Sequence, residues 1–174
     1  MASEVIAYVA VSLDGYIARE DGTSDFLATF GSEEFGFHEF FATIGGVVLG
    51  GTTYRRISGR PWPYGTIPGL VLTSRDPEPS GDAELAFSDA PTGDAIGRFA
   101  EGVEQRVWVV GGGRVITDGI NQGAIDVLEI HLMPVALGSG VPLFPGPVDV
   151  PLDLVASKAY SNGVVRLVYR PRHG

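Results

Sequence analysis

Residues Val107 to Asn121 read V-W-V-V-G-G-G-R-V-I-T-D-G-I-N, and the fold follows from this stretch. Four apolar residues run without alternation into three glycines, the pattern of a strand buried on both faces that ends in a sharp turn. A short helix follows. At such a junction the glycines let a ligand approach the backbone, and the helix's first N–H groups and dipole favour an anion. A phosphate is the natural guest, while a tight strand-to-helix turn with no ligand accounts for the same letters. Ile116 stands where a third spaced glycine would be in Gly111-x-Gly113-x-x-Ile116, so the dinucleotide fingerprint of the Rossmann fold is absent.

The same pattern occurs twice earlier. Val47-Val48-Leu49 runs into Gly50-Gly51-Thr52-Thr53, with Thr52 a candidate helix cap, and Leu70-Val71-Leu72 runs into Thr73-Ser74-Arg75. In an open α/β sheet, ligands bind beyond the carboxyl ends of the strands, so three such ends point to one cleft. Upstream, Val5 to Val11 is strand-like and leads into a polar loop from Ser12 to Asp25, long enough to act as a lid. Ser32 reads as the N-cap of a helix with Glu33 and Glu34 in its first turn and Phe37, Phe40 and Phe41 on its apolar face, ending before Gly45. Glu84 to Phe87 suggests a brief edge strand and Asp94 to Ala100 a helix burying Ile96 and Phe99.

Ala124 to Pro134 alternates apolar with polar residues, as a strand with one solvated face does, which makes His131 an exposed or hydrogen-bonded strand residue. Leu154 to Tyr160 and Val164 to Tyr169 flank Ser161-Asn162-Gly163, a hairpin signal. Gly138-Ser139-Gly140 cannot form a nucleophile elbow, because Val141-Pro142 does not begin a helix. The expected architecture is a single α/β domain over residues 1–174, with a mixed, mostly parallel sheet flanked by helices and closed by an antiparallel hairpin.

Composition narrows the function. A chain of 174 residues with 44% hydrophobic content suits one domain with a sizeable core. Its apolar runs fall far short of the roughly 20 residues that cross a bilayer, so a soluble, cytoplasmic protein with no membrane partner is expected. A net charge of −9 disfavours nucleic acid. There are no cysteines, and His38, His131 and His173 are scattered, so no metal site is expected. Apolar edge strands near the end suggest a homodimer.

V-A-V-S-L-D-G-Y-I-A at Val9 to Ala18, V-V-L-G-G-T-T-Y at Val47 to Tyr54, L-V-L-T-S-R at Leu70 to Arg75, V-W-V-V-G-G-G-R-V at Val107 to Val115 and L-G-S-G-V-P-L-F-P at Leu137 to Pro145 occur in that order. Together they resemble the dihydrofolate reductase superfamily, in the branch grouped with the reductase domain of the bifunctional riboflavin-biosynthesis deaminase-reductase. The resemblance implies a dihydrofolate reductase-like fold with NADPH across the carboxyl ends of the strands, and hydride transfer to a small heterocycle. It implies that Ala10 and Ile17 meet the nicotinamide, that Gly50, Gly51, Thr52 and Thr53 take the pyrophosphate, and that Leu72, Thr73, Ser74 and Arg75 line the adenosine side. It further implies that Gly111, Gly112, Gly113, Arg114, Val115 and Ile116 complete the pyrophosphate cradle through backbone N–H groups.

For the acid that supports protonation, Glu34 is nearest by spacing, with Glu33 beside it and Asp25 at the end of the loop. The chain departs from the riboflavin enzymes at Tyr16, where they carry a basic residue, and at Gly51 to Arg55, where they tend to carry Asp-Asp-Pro. No folate-tail arginine can be assigned. The implied substrates are a riboflavin-pathway aminopyrimidine or a dihydropteridine, and the rival is a nucleotide-binding oligomeric module that kept the fold without the chemistry.

Overall fold

The computed structural model describes residues 3–31, 35–75 and 83–173. Eight strands form the main sheet in the order β5-β4-β3-β6-β1-β7-β10-β9. Six are parallel: β1 (Val5–Ser12), β3 (Ile44–Gly50), β4 (Gly69–Leu72), β5 (Leu85–Ser88), β6 (Arg106–Gly111) and β7 (Val127–Met133). The last two, β9 (Leu152–Ala159) and β10 (Val165–Pro171), form the expected antiparallel hairpin, and β10 pairs antiparallel with β7. A two-stranded ribbon of β2 (Tyr16–Ala18) and β8 (Val141–Pro142) lies apart. The segment from Ser12 to Asp25, expected as loop throughout, therefore contains a strand.

The continuous apolar runs serve two cores, because alternate side chains of each central strand face opposite ways. On one face Val48, Leu70, Val107 and Val109 pack with Ile96 of α3 (Thr92–Glu101) and with Val115, Ile116 and Ile120 of α4 (Gly113–Asn121). On the other, Ile6, Val47, Leu49, Trp108 and Val127 pack with Phe40 of α1 (Phe37–Phe41). Phe37 and Phe41 join that second core, as the apolar face of the expected helix requires. The described helix is only those five residues, entered through Gly36 at φ 71°. Ser32, Glu33 and Glu34 lie outside the described residues. The seven-residue α2 (Gly51–Ile57) takes Gly50 as its N-cap rather than Thr52.

β7 departs from its expectation. Glu129 and His131 are 6% and 2% exposed, so the polar side of this strand is not solvated. The covering groups come from elsewhere in the chain: Tyr8 stands opposite Glu129 on β1, Arg166 stands opposite His131 on β10, and Phe35 packs its ring against His131. Arg166 holds Glu129 with two bonds, Nε to Oε1 at 2.5 Å and Nη2 to Oε2 at 2.9 Å. Breaking a buried pair from one side strands the other charge. Arg166→Met is expected to lower unfolding stability by roughly 3–5 kcal/mol, and Glu129→Leu combined with it to recover most of the loss. Urea denaturation of wild type, single and double variants checks this, and equal stability of all three would show that the pair contributes nothing.

Candidate functional site

The carboxyl ends of β1, β3, β4 and β6 open into one cleft of about 750 Å³, within the usual range for small-molecule sites. Of the residues the sequence pointed to, Ala10, Ile17, Gly50, Gly51, Thr52, Thr53, Leu72, Gly112, Gly113, Arg114 and Val115 line it. Two glycine-capped helix starts meet here. Gly50 and Gly112 are the N-caps of α2 and α4, in extended conformation, and neither helix has a side-chain cap. A side chain added at Gly112 would stand 3.6 Å from Thr53 Oγ1, so the two turns lie side by side. Gly113 has no room for a side chain, since a Cβ would come 2.5 Å from the Pro142 carbonyl oxygen and 2.6 Å from that of Leu143. Uncapped N–H groups of the nine-residue α4 and the glycine backbone on both sides suit the paired phosphates of a dinucleotide.

Other expected residues fall beside the cleft rather than in it. Thr73 packs against Gly51 and accepts the N–H of Arg75 at 3.2 Å, while Ser74 and Arg75 are exposed beyond the end of β4. Gly111 closes β6 with φ 121°. Ile116 is a correction: its side chain is fully buried in the core, and its N–H donates to the Gly112 carbonyl at 3.3 Å, so it offers the cradle nothing. Asp25 is another correction. Its carboxylate is 65% exposed and accepts from Arg19 Nε at 2.5 Å, outside the residues lining the cleft. Glu34, the other candidate acid, lies outside the described residues.

Several lining residues were not foreseen: Tyr8, Leu27, Trp108, Val110, Arg56 and Ser24. Tyr8 was legible in part, since it shares the face of Ala10 two residues on. Tyr8 stacks on Phe40 with ring centroids 4.0 Å apart, and the Trp108 indole N–H donates to the Tyr8 carbonyl at 3.1 Å. Burial, then the nearby Glu129 carboxylate, push the Tyr8 hydroxyl well above its ordinary value, so it stays protonated. His131 lies beside Tyr8, centroids 4.7 Å apart, with its Nε2 3.9 Å from Glu129 Oε1. Burial lowers its pKa, partly offset by Glu129, and the ring is neutral at physiological pH.

The lid is fastened at its root. Asp14 accepts from Ser12 Oγ at 2.6 Å and from the N–H groups of Leu137 and Gly138 at 3.1 and 2.7 Å, and these bonds hold its pKa down at about 2. A carboxylate favoured in the folded state stabilises it above the unfolded pKa near 4, and that contribution is lost as pH falls toward about 2. The melting-temperature gap between wild type and Asp14→Ala is therefore expected to be constant above about pH 5 and to shrink below about pH 4. A gap that persists undiminished near pH 2 would show that the ionised clasp is not its source.

The family model of the RibD C-terminal domain matches residues 65–166. Protein YwjB of Bacillus subtilis (strain 168), which is uncharacterised, is 34% identical over 147 residues covering 83% of this chain and 84% of that one. Among solved structures, a Shewanella sp. PV-4 protein provisionally assigned to riboflavin biosynthesis superposes with a TM-score of 0.80 at 27% identity, over 99% of this chain and 100% of the other. The dihydrofolate reductase of Enterococcus faecalis, complexed with NADP(H) and RAB-propyl, superposes with a TM-score of 0.68 at 23% identity over 98% and 97%. No helix among the described residues is long and apolar enough to cross a membrane.

Proposed function

The chain belongs to the RibD C-terminal domain family, and from that premise we propose that it is an NADPH-dependent reductase of a small heterocycle. The acceptor is an aminopyrimidine of the riboflavin pathway, such as 5-amino-6-(5-phosphoribosylamino)uracil, or a dihydropteridine or dihydrofolate. The observation that carries this reading is the convergence of Gly50 to Thr53 and Gly112 to Val115 on one cleft that Tyr8 and Trp108 also line.

When bound, NADPH supplies the hydride, so that the acceptor gains two electrons and, with one proton, becomes the reduced product. The backbone of Gly50 to Thr53 and of Gly112 to Val115 holds the pyrophosphate. Leu72, with Thr73 to Arg75 outside it, borders the adenosine side. Ala10 and Ile17 border the reacting end, where a small side chain on β1 leaves room for two stacked rings. The loop from Ser12 to Asp25 excludes water. Glu34 is the proton donor in this reading, or an ordered water supplies the proton in its place.

Titration of the purified protein with NADPH is expected to quench its intrinsic fluorescence saturably, and dihydrofolate or the aminopyrimidine to be reduced, followed at the nicotinamide absorbance. Glu34→Gln is expected to keep the quench and lose at least about tenfold in turnover, the low end of acid–base contributions. No quench at millimolar NADPH would sink the reductase reading, and a quench without turnover on any of these acceptors would favour a nucleotide-binding module. The proposal includes a homodimer through the outer strand β9, which leaves Leu154 and Val155 exposed. Light scattering is expected to give twice the 18.4 kDa chain mass, and a monomer at micromolar protein would contradict it.

A further inference from the structure

The described lining of the cleft differs in charge from the rest of the molecule. The chain has 21 acidic residues against 12 basic ones, yet among the described residues lining the cleft there is no Asp or Glu, and there are two arginines, Arg56 and Arg114. Arg114 belongs to the phosphate end: it sits in the first turn of α4, with its side chain 87% exposed and 3.7 Å from Asp118. Arg56 sits on α2, three residues beyond Thr53 and so on the same helical face. Its guanidinium crosses to the lid and donates to the carbonyls of Gly22 and Asp21. Gly22 has φ +78°, and a side chain there would run into that guanidinium. Among the described residues no carboxylate lies within ion-pair distance of Arg56. A group with five donors, able to grip an oxyanion with two parallel bonds, thus bonds here only to neutral carbonyls, with the Asp21 carboxylate acting on it through space.

Tyr8, Trp108, Val110 and Leu27 line the same cleft, the Tyr8 and Trp108 rings lying nearly perpendicular at 84° and fixed by the stack on Phe40 and by the indole hydrogen bond. They give a heterocycle apolar and aromatic surface to rest on, while Arg56 reaches from α2 to the lid on the same lining.

We propose that Arg56 determines substrate specificity by selecting heterocycles that carry an oxyanion, a phosphate ester or a carboxylate, on an arm reaching the cleft mouth. The anion takes the guanidinium from the carbonyls of Gly22 and Asp21, so the same side chain that fastens the lid tip in the free protein grips the substrate in the complex. This rests on the reductase reading of the cleft. It places the recognised charge at α2, a position the sequence motifs did not single out.

The test compares, at saturating NADPH, affinity by fluorescence and kcat/KM by absorbance for matched pairs that differ only in the anion. One pair is the phosphoribosylated aminopyrimidine and its ribosyl counterpart without phosphate, and the other is dihydrofolate and a dihydropterin lacking the glutamate tail. Arg56→Gln is expected to weaken the anion-bearing member at least about tenfold more than its partner, mostly in KM, as loss of a charge-assisted contact predicts. Arg56→Lys is expected to restore part of that difference. A differential confined to the first pair identifies a phosphate, and one confined to the second a carboxylate. Equal losses within both pairs, or no binding of either anion-bearing ligand, would overturn the assignment while wild-type NADPH binding and neutral-ring turnover left the reductase standing. Failure of the wild type to bind NADPH would remove the reductase reading and this assignment with it.

Discussion

The missing side chain at Gly113 governs how the cleft is closed. Because no Cβ intervenes, the carbonyls of Pro142 and Leu143 descend onto the first turn of α4. That contact fixes the level of β8, which pairs with β2 through Tyr16 opposite Pro142 and Ala18 opposite Val141. The N–H of Leu143 also reaches the Gly15 carbonyl at 2.9 Å. The lid is thus laid over the strand ends by a steric allowance at one residue some hundred positions away. Asp14 and Arg56 then hold its root and its tip, one through backbone N–H groups and the other through backbone carbonyls.

The sheet was legible because its central strands are buried on both faces, which writes them as unbroken apolar runs ending in glycine. Val47 to Gly50, Leu70 to Leu72 and Val107 to Gly111 were readable for that reason, and with them the side of the sheet on which the cleft opens. The glycine turns at their ends followed from the same letters. Thr52 misled as a cap because a hydroxyl near a helix start is a strong local signal, whereas here the extended backbone of Gly50 serves.

Properties that depend on partners distant in sequence were not legible. The alternation in β7 has the period of a half-solvated strand, and only the placement of Arg166, Tyr8 and Phe35 turns Glu129 and His131 inward. Periodicity reports which residues share a face but not what covers it. Asp25 carried the right charge at a plausible spacing, yet Arg19, six residues before it, claims its carboxylate at the surface. Arg56 stands on a short helix, and nothing in its local sequence shows that Gly22 of the loop lies against it. The walls at Tyr8 and Trp108 were hidden similarly, since residues of a buried strand become cleft residues only where their neighbours stop covering them.

An acidic body with no carboxylate among the described residues lining its cleft also shapes how ligands arrive. Counter-ions leave the two cleft arginines effective only within a Debye length of roughly 8–10 Å at ordinary ionic strength, while in dilute buffer the field of the −9 surplus extends further and opposes any polyanion. For an anionic ligand, added salt screens the long-range repulsion of the acidic surface before it screens a close contact at the arginines. The response of capture to ionic strength is a property of the whole surface, set by residues that never touch what is captured.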